Sequence, residues 1–124
     1  MLQNRYPDKH SRLVSRIVVL LTEKGYQNIK SVLSDSESPE KIVWQSSGNG
    51  YLPDVSVRAE EFRFFSAETA DSIQDEDTAD KLKLFSAYAE TNGALFYVVF
   101  PKGDAVPVRA RIEELGGEIC LWEV

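Results

Sequence analysis

The sequence predicts a mixed α/β fold in which a central sheet is flanked by helices. Three observations predict it: an amphipathic helix stands near the start, short strand-like segments separated by turn signals follow, and the second half alternates between helix and strand. A run of antiparallel strands followed by such an alternation is typical of a mixed sheet. We expect the order helix, three or four strands, helix, strand, helix, strand, in one domain spanning residues 1–124.

The first helix is predicted over RLVSRIVVLLTEKG, residues 12–25. Its apolar residues recur at intervals of three and four, which is the period of a helix with one buried face. They are Leu13, Ile17, Leu20 and Leu21, with Val14 and Val18 beside them. Asp8 or Ser11 can cap the start of this helix, and Gly25 suits its end.

Strands are predicted next, at residues 28–35 (NIKSVLSD) and 41–45 (KIVWQ). Residues 51–59 (YLPDVSVRA) and 62–69 (FRFFSAET) then form a hairpin, because their apolar and polar side chains alternate as they do on a pleated strand. The exposed pair of glutamates between these two segments suits the tip of the hairpin.

The second half of the chain is predicted to begin with a helix over residues 77–93, which Asn92-Gly93 ends. The almost wholly apolar run at residues 95–100 (LFYVVF) indicates a central strand buried on both faces. A short helix within residues 103–117 and a last strand within residues 118–124 complete the order.

The charge of the chain is unevenly distributed. The net charge is −6, but residues 1–30 hold six basic residues against two acids, and the remainder carries a balance of about −10. The acidic body argues against broad binding of nucleic acid, because contacts to phosphate need basic groups. The first helix can still present a local basic surface. The candidate nucleic-acid-binding residues on it are Arg5, Lys9, Arg12 and Arg16. A merely solvated helix face is the alternative interpretation of these four.

Other features indicate ordinary structural roles. The lone Cys120 lies in an apolar stretch and is expected to be a buried hydrophobe, and His10 is expected at the surface because no triad partner is visible. Tyr88 and Tyr97 are expected to pack in the core. The longest early apolar run is far shorter than the ~18 residues of a membrane span, so we expect a cytoplasmic protein without a membrane partner.

The segments GYLPDV and SAETADSI, followed by a helix and then LFYVVFPKG, resemble the PD-(D/E)xK superfamily of restriction-endonuclease-like phosphodiesterases. The order of elements agrees with that family over roughly residues 8–124, and this order carries more weight than the short motif. The resemblance implies a restriction-endonuclease-like core. In the family, two carboxylates on adjacent strands bind Mg²⁺, which activates water, and a lysine supports the reaction.

Carried onto this sequence, the resemblance implies that Asp54, after Pro53, is the first catalytic and metal-binding acid. With Glu68 as the second acid, alanine stands where the family has lysine. With Ser66 in the acid position instead, Glu68 itself stands at the lysine position. Three lysines further along the chain are candidate replacements for the missing base: Lys81, Lys83 and Lys102.

The length of the hairpin loop decides whether the two acids can meet. A two-residue loop at Glu60 and Glu61 would place Asp54 opposite Ala67, so that Asp54 and Glu68 would point apart. A three-residue loop or a bulge would place Asp54 opposite Ser66 or Glu68 instead.

The missing lysine predicts a nuclease-like domain that has lost catalysis and serves in nucleic-acid-related binding or interaction. The alternative is an active Mg²⁺-dependent nuclease that uses Asp54 and Glu68. A third interpretation is an unrelated small α/β interaction domain. The resemblance alone implies assembly as a homodimer or within a larger complex.

Overall fold

The computed structural model describes residues 7–33, 37–43 and 50–124. Within these residues, three α-helices and seven strands form. The helices are α1 (Pro7–Glu23), α2 (Glu76–Asn92) and α3 (Ala105–Leu115). The strands are β1 (Lys30–Ser31), β2 (Ile42–Val43), β3 (Gly50–Tyr51), β4 (Val55–Arg58), β5 (Phe62–Ala67), β6 (Leu95–Phe100) and β7 (Cys120–Glu123).

Five of these strands form one mixed sheet, in the order β1-β4-β5-β6-β7. The pairs β1–β4 and β4–β5 are antiparallel, whereas β5–β6 and β6–β7 are parallel. Helices α2 and α3 connect the parallel strands, as parallel pairing requires a long crossover. The predicted mixed α/β architecture is therefore confirmed.

Each face of the sheet carries its own hydrophobic core. On one face, α2 and α3 cover a cluster that includes Phe64, Phe85 and Phe96. On the other, α1 covers a cluster that includes Val55, Phe65 and Val99. Consecutive residues of β5 thus enter opposite cores, which is the period-two alternation of a strand covered on both faces.

Residues 51–59 do not form the single strand that their alternation predicts. Gly50 and Tyr51 pair with β2 in a separate two-stranded sheet, and β4 begins only at Val55. Pro53 interrupts the segment, because proline has no backbone N–H to donate to a ladder. Five strands therefore lie between α1 and α2, rather than three or four.

The β4–β5 hairpin has a three-residue loop, residues 59–61, in which the Ala59 amide donates to the Glu61 carbonyl at 3.1 Å. Val55 pairs with Phe65 in the resulting register. Extended by one step, this register places Asp54 opposite Ser66. The two-residue alternative is wrong, and the three-residue alternative is confirmed.

Several element boundaries differ from the expectation. Helix α1 begins at Pro7 rather than after Asp8 or Ser11, because proline suits the first turn, where its missing N–H costs no hydrogen bond. The strands predicted at 28–35 and 41–45 shorten to two described residues each, and residues 34, 35, 44 and 45 lie outside the described part. Cys120 is half-buried rather than buried.

No helix in the described part of the chain is both long enough and apolar enough to cross a membrane.

Candidate functional site

Asp54 lies immediately before β4, with its side chain 10% exposed. Its backbone amide donates to the Phe65 carbonyl at 3.0 Å, which holds it beside β5. Its Oδ2 accepts a hydrogen bond from the Ala67 amide at 2.8 Å, and its Oδ1 lies 2.9 Å from Nε2 of His10. The carboxylate is therefore fixed between the neighbouring strand and helix α1.

Glu68 directly follows β5, and its side chain is 1% exposed. Its backbone amide donates to the Val99 carbonyl at 2.9 Å, so the chain continues the β5–β6 pairing by one residue. Its Oε2 accepts hydrogen bonds from Ser66 Oγ at 2.6 Å and from Lys81 Nζ at 2.7 Å. Its Oε1 accepts one from Ser72 Oγ at 2.7 Å.

Lys81 reaches this site from the second turn of α2, with its side chain 20% exposed. Burial disfavours its charged form, but the charges of Glu68 and Asp54 and the hydrogen bond to Glu68 outweigh that effect, so the pKa of Lys81 is raised. Lys81 is thus a cation in the described site.

His10 completes the arrangement, contrary to its expected place at the surface. It lies three, four and seven residues before Leu13, Val14 and Ile17, and so continues the buried stripe of α1. That spacing was the signal in the sequence that it faces inward. The hydrogen bond to Asp54 outweighs burial and raises the pKa of His10 above 6.5.

The charges of these residues are coupled. Burial opposes ionisation of Asp54, yet the hydrogen bond from His10 and the charge of Lys81 hold the pKa of this carboxyl below its usual value. The charge of Glu68 also contributes to the raised pKa of His10. We call His10, Asp54, Glu68 and Lys81 the ion cluster. With His10 protonated, its two carboxylates face two cations.

The register also places Ser66 in this site. Ser66 lies opposite Asp54, and Glu68 follows two residues further along the chain. Lys81 brings a cation to Glu68 from helix α2.

The carboxylate oxygens that Mg²⁺ would need as ligands already have protein partners in the ion cluster. All four carboxylate oxygens of Asp54 and Glu68 accept hydrogen bonds from protein donors, two of which are the basic groups of His10 and Lys81. A hard cation needs those same oxygens as ligands. Within the described residues, no group of three or more His, Cys, Asp or Glu side chains is arranged to hold a metal ion.

The structure does not bring the remaining candidates together. Lys83 and Lys102 are exposed and make no described contact with the ion cluster. Arg5 lies outside the described residues. Lys9, Arg12 and Arg16 are exposed along α1, and we call these three the basic face; Lys9 Nζ also lies 3.5 Å from a carboxylate oxygen of Asp71.

No protein-family model matches the chain, and no curated protein or solved structure is significantly similar to it.

Proposed function

We propose that this chain has a restriction-endonuclease-like core that binds nucleic acid without cleaving it. In this proposal, the ion cluster stands where the family holds its metal. The order of helix α1, the antiparallel β4–β5 hairpin, helix α2 and the parallel strand β6 supports the proposed core.

The observation that carries the loss of catalysis is the pairing of each acid with an internal cation. Lys81 bonds Glu68 at 2.7 Å, and His10 bonds Asp54 at 2.9 Å. A buried carboxylate needs a compensating charge, and in this cluster the protein itself supplies it. Binding of Mg²⁺ would place a divalent ion beside both of these cations, which disfavours it.

The basic face supports contact with nucleic acid. Lys9, Arg12 and Arg16 are spaced at three and four residues, so they lie along one side of α1. Arg12 and Arg16 have no ion-pair partner among the described residues and are therefore available to phosphates. Because the rest of the chain is acidic, we expect binding to be confined to this surface.

The test is binding of labelled single- and double-stranded oligonucleotides, measured by fluorescence anisotropy in EDTA and again with Mn²⁺. We expect binding in EDTA that is lost in the double variant Arg12→Ala/Arg16→Ala. The matched control, Lys83→Ala/Lys102→Ala, removes two exposed positive charges elsewhere and should bind like the wild type. Absence of binding to any nucleic acid would refute the proposal.

Access of metal to the ion cluster can be tested without an activity assay. His10 is the one histidine of the chain, so its imidazole resonances are assigned without ambiguity. Mn²⁺ bound beside Asp54 would broaden them. We expect no selective broadening at millimolar Mn²⁺ in the wild type, and selective broadening that disappears in Asp54→Ala would contradict the proposed closed cluster.

An active metal-dependent nuclease is the second candidate, and one observation favours it. Lys81 supplies, from α2, the cation that the linear motif lacks. This candidate predicts Mn²⁺-dependent cleavage that disappears in both Asp54→Ala and Lys81→Met. Cleavage with that pattern would replace the binding-only proposal, and its absence at high protein concentration would remove the candidate.

A further inference from the structure

A second candidate site lies at the other end of α1. A cavity of about 280 Å³ opens where the last turn of this helix meets β5, β6 and β7. Aromatic and basic side chains dominate its lining: Tyr26, Phe65, Tyr97, Trp122, Lys24 and Arg63. We call this cavity the aromatic pocket. Its volume is slightly below the ~300 Å³ at which pockets for drug-sized ligands begin, so it suits a single ring system.

The rings of the aromatic pocket are already assembled. Phe65 is buried and stacks on Tyr97, with ring centroids 5.0 Å apart and planes 16° apart. Trp122 is tilted by 57° against Phe65 at 5.9 Å. Tyr97 and Trp122 are only half-buried, so part of each ring is open to a ligand. Stacking with a flat ring would bury this aromatic surface.

The two cations have different surroundings. Arg63 is held in place by Glu61 and by a hydrogen bond of 2.7 Å to the hydroxyl of Tyr26. Lys24 lies 6.0 Å from the centre of the Trp122 ring and has no acidic partner among the described residues. A ring that enters the pocket beside Trp122 would therefore meet the positive charge of Lys24, which lies over the indole and is not neutralised by a described acid. A base that carries phosphate supplies both a flat ring and a complementary negative charge.

Helix α1 connects the aromatic pocket to the ion cluster. Eleven residues separate His10 from Leu21 of the pocket, which is about 16 Å along a helix axis. This distance corresponds to about five stacked nucleotides at ~3.4 Å each. Arg12 and Arg16 lie on the exposed side of the helix between these two residues, and Lys9 lies just before His10.

We propose that the aromatic pocket receives an unpaired base of a nucleic-acid strand whose phosphates follow the basic face of α1. The proposal rests on the proposed nucleic-acid binding but not on the presence or loss of cleavage. A base within a duplex is stacked and paired, and cannot enter a pocket of this kind without being extruded. The pocket thus makes single strands the preferred ligand.

The test uses Trp122 as its own reporter. The chain has two tryptophans, so Trp44→Phe leaves Trp122 as the single indole fluorophore. In EDTA, this protein is titrated with oligothymidine of about ten nucleotides, within the ~4–16 nucleotides that single-strand-binding folds cover. An abasic strand of equal length and charge and a blunt duplex are titrated in parallel. We expect Trp122 quenching by oligothymidine alone, and affinity for it about 5- to 150-fold higher than for the abasic strand.

Substitutions in and outside the pocket separate a loss of base stacking from a loss of folded structure. Trp122→Leu should lose the preference for the base-containing strand while keeping its affinity for the abasic strand, and Trp122→Phe should retain most of that preference. Lys24→Ala should weaken binding of both strands. Tyr88→Leu, which removes a half-buried aromatic side chain from α2 on the opposite face of the sheet, is the matched control and should leave the preference unchanged.

The outcomes distinguish this proposal from the one on which it rests. Equal affinity for abasic and base-containing strands, both lost in Arg12→Ala/Arg16→Ala, would overturn the base pocket and leave nucleic-acid binding intact. Failure of every strand to bind would overturn both. Duplex affinity equal to that of oligothymidine would also refute the pocket.

Discussion

Lys81 Nζ lies 2.7 Å from Oε2 of Glu68, thirteen residues earlier in the chain, and this contact joins helix α2 to the end of strand β5. The glutamate is almost completely buried, and the lysine is largely so. The pair therefore serves the stability of the fold as well as the chemistry of the ion cluster.

Lys81→Met should destabilise the protein by about 3–5 kcal/mol, because it leaves the buried charge of Glu68 without its cation. Urea unfolding at neutral pH measures this change. Lys83→Met, two residues further along the same helix but exposed, is the matched control and should stay within about 0.5 kcal/mol of the wild type. Equal effects of the two substitutions would show that the Lys81–Glu68 pair contributes nothing to the free energy of unfolding.

The titration of His10 should report its contact with Asp54. NMR titration of the single histidine is expected to give a pKa above 6.5 in the wild type. Asp54→Asn removes the charge that stabilises the imidazolium, so burial should then dominate and lower the pKa of His10. An unchanged pKa in Asp54→Asn would contradict the contact.

The His10–Asp54 pair should make the free energy of unfolding depend on pH on both the acid and the alkaline side of its maximum. Because the folded-state pKa of His10 is raised, its contribution is fully present below pH 6.5 and is lost as pH rises through the folded pKa. Because the pKa of Asp54 is lowered, its contribution is present above pH 3.8 and is lost as pH falls through its folded pKa. His10→Gln should flatten the alkaline side of the profile, measured as the free energy of unfolding against pH. A wild-type profile that stays flat as pH rises above 6.5 would contradict this.

Gly117→Ala should destabilise the protein by about 1–3 kcal/mol. Gly117 has φ of +88°, and an added Cβ would crowd the hydroxyl of Ser86, which accepts a hydrogen bond from the Glu118 amide at 2.7 Å. Gly103→Ala is the control, because nothing lies within 4 Å of a Cβ there and its φ is not positive. Thermal unfolding of both variants measures the difference, and a Gly117→Ala variant as stable as Gly103→Ala would contradict the crowding.

The salt dependence of nucleic-acid binding should report how many phosphates the basic face contacts. Each contact to a single strand contributes about 0.7 to the slope of log affinity against log salt. The single variant Arg12→Ala, which keeps Arg16 and so retains weaker binding, should therefore reduce the slope by roughly 0.7. An unchanged slope would place the phosphates on another surface.

The sequence by itself determined the helices and the strand alternation, because apolar periods of 3.6 and 2 are local properties of the chain. Leu13 and Ile17 identified α1, and the apolar run at 95–100 identified β6. It also pointed to Asp54, Glu68 and, as one of three lysines, Lys81. His10 was expected at the surface and was not among the predicted site residues, although its spacing from Leu13 and Val14 placed it on the buried side of α1.

Only the tertiary structure decided which charges meet. Whether Asp54 faces Ser66 or Ala67 depends on a single residue of loop length, and one step of register turns a side chain to the other face of the sheet. The choice of Lys81 over Lys83 and Lys102 depends on the rotation and docking of α2 against β5. The contact of His10 with Asp54 spans 44 residues. Such long-range contacts are set by the packing of elements against one another, and no local pattern in the chain encodes them.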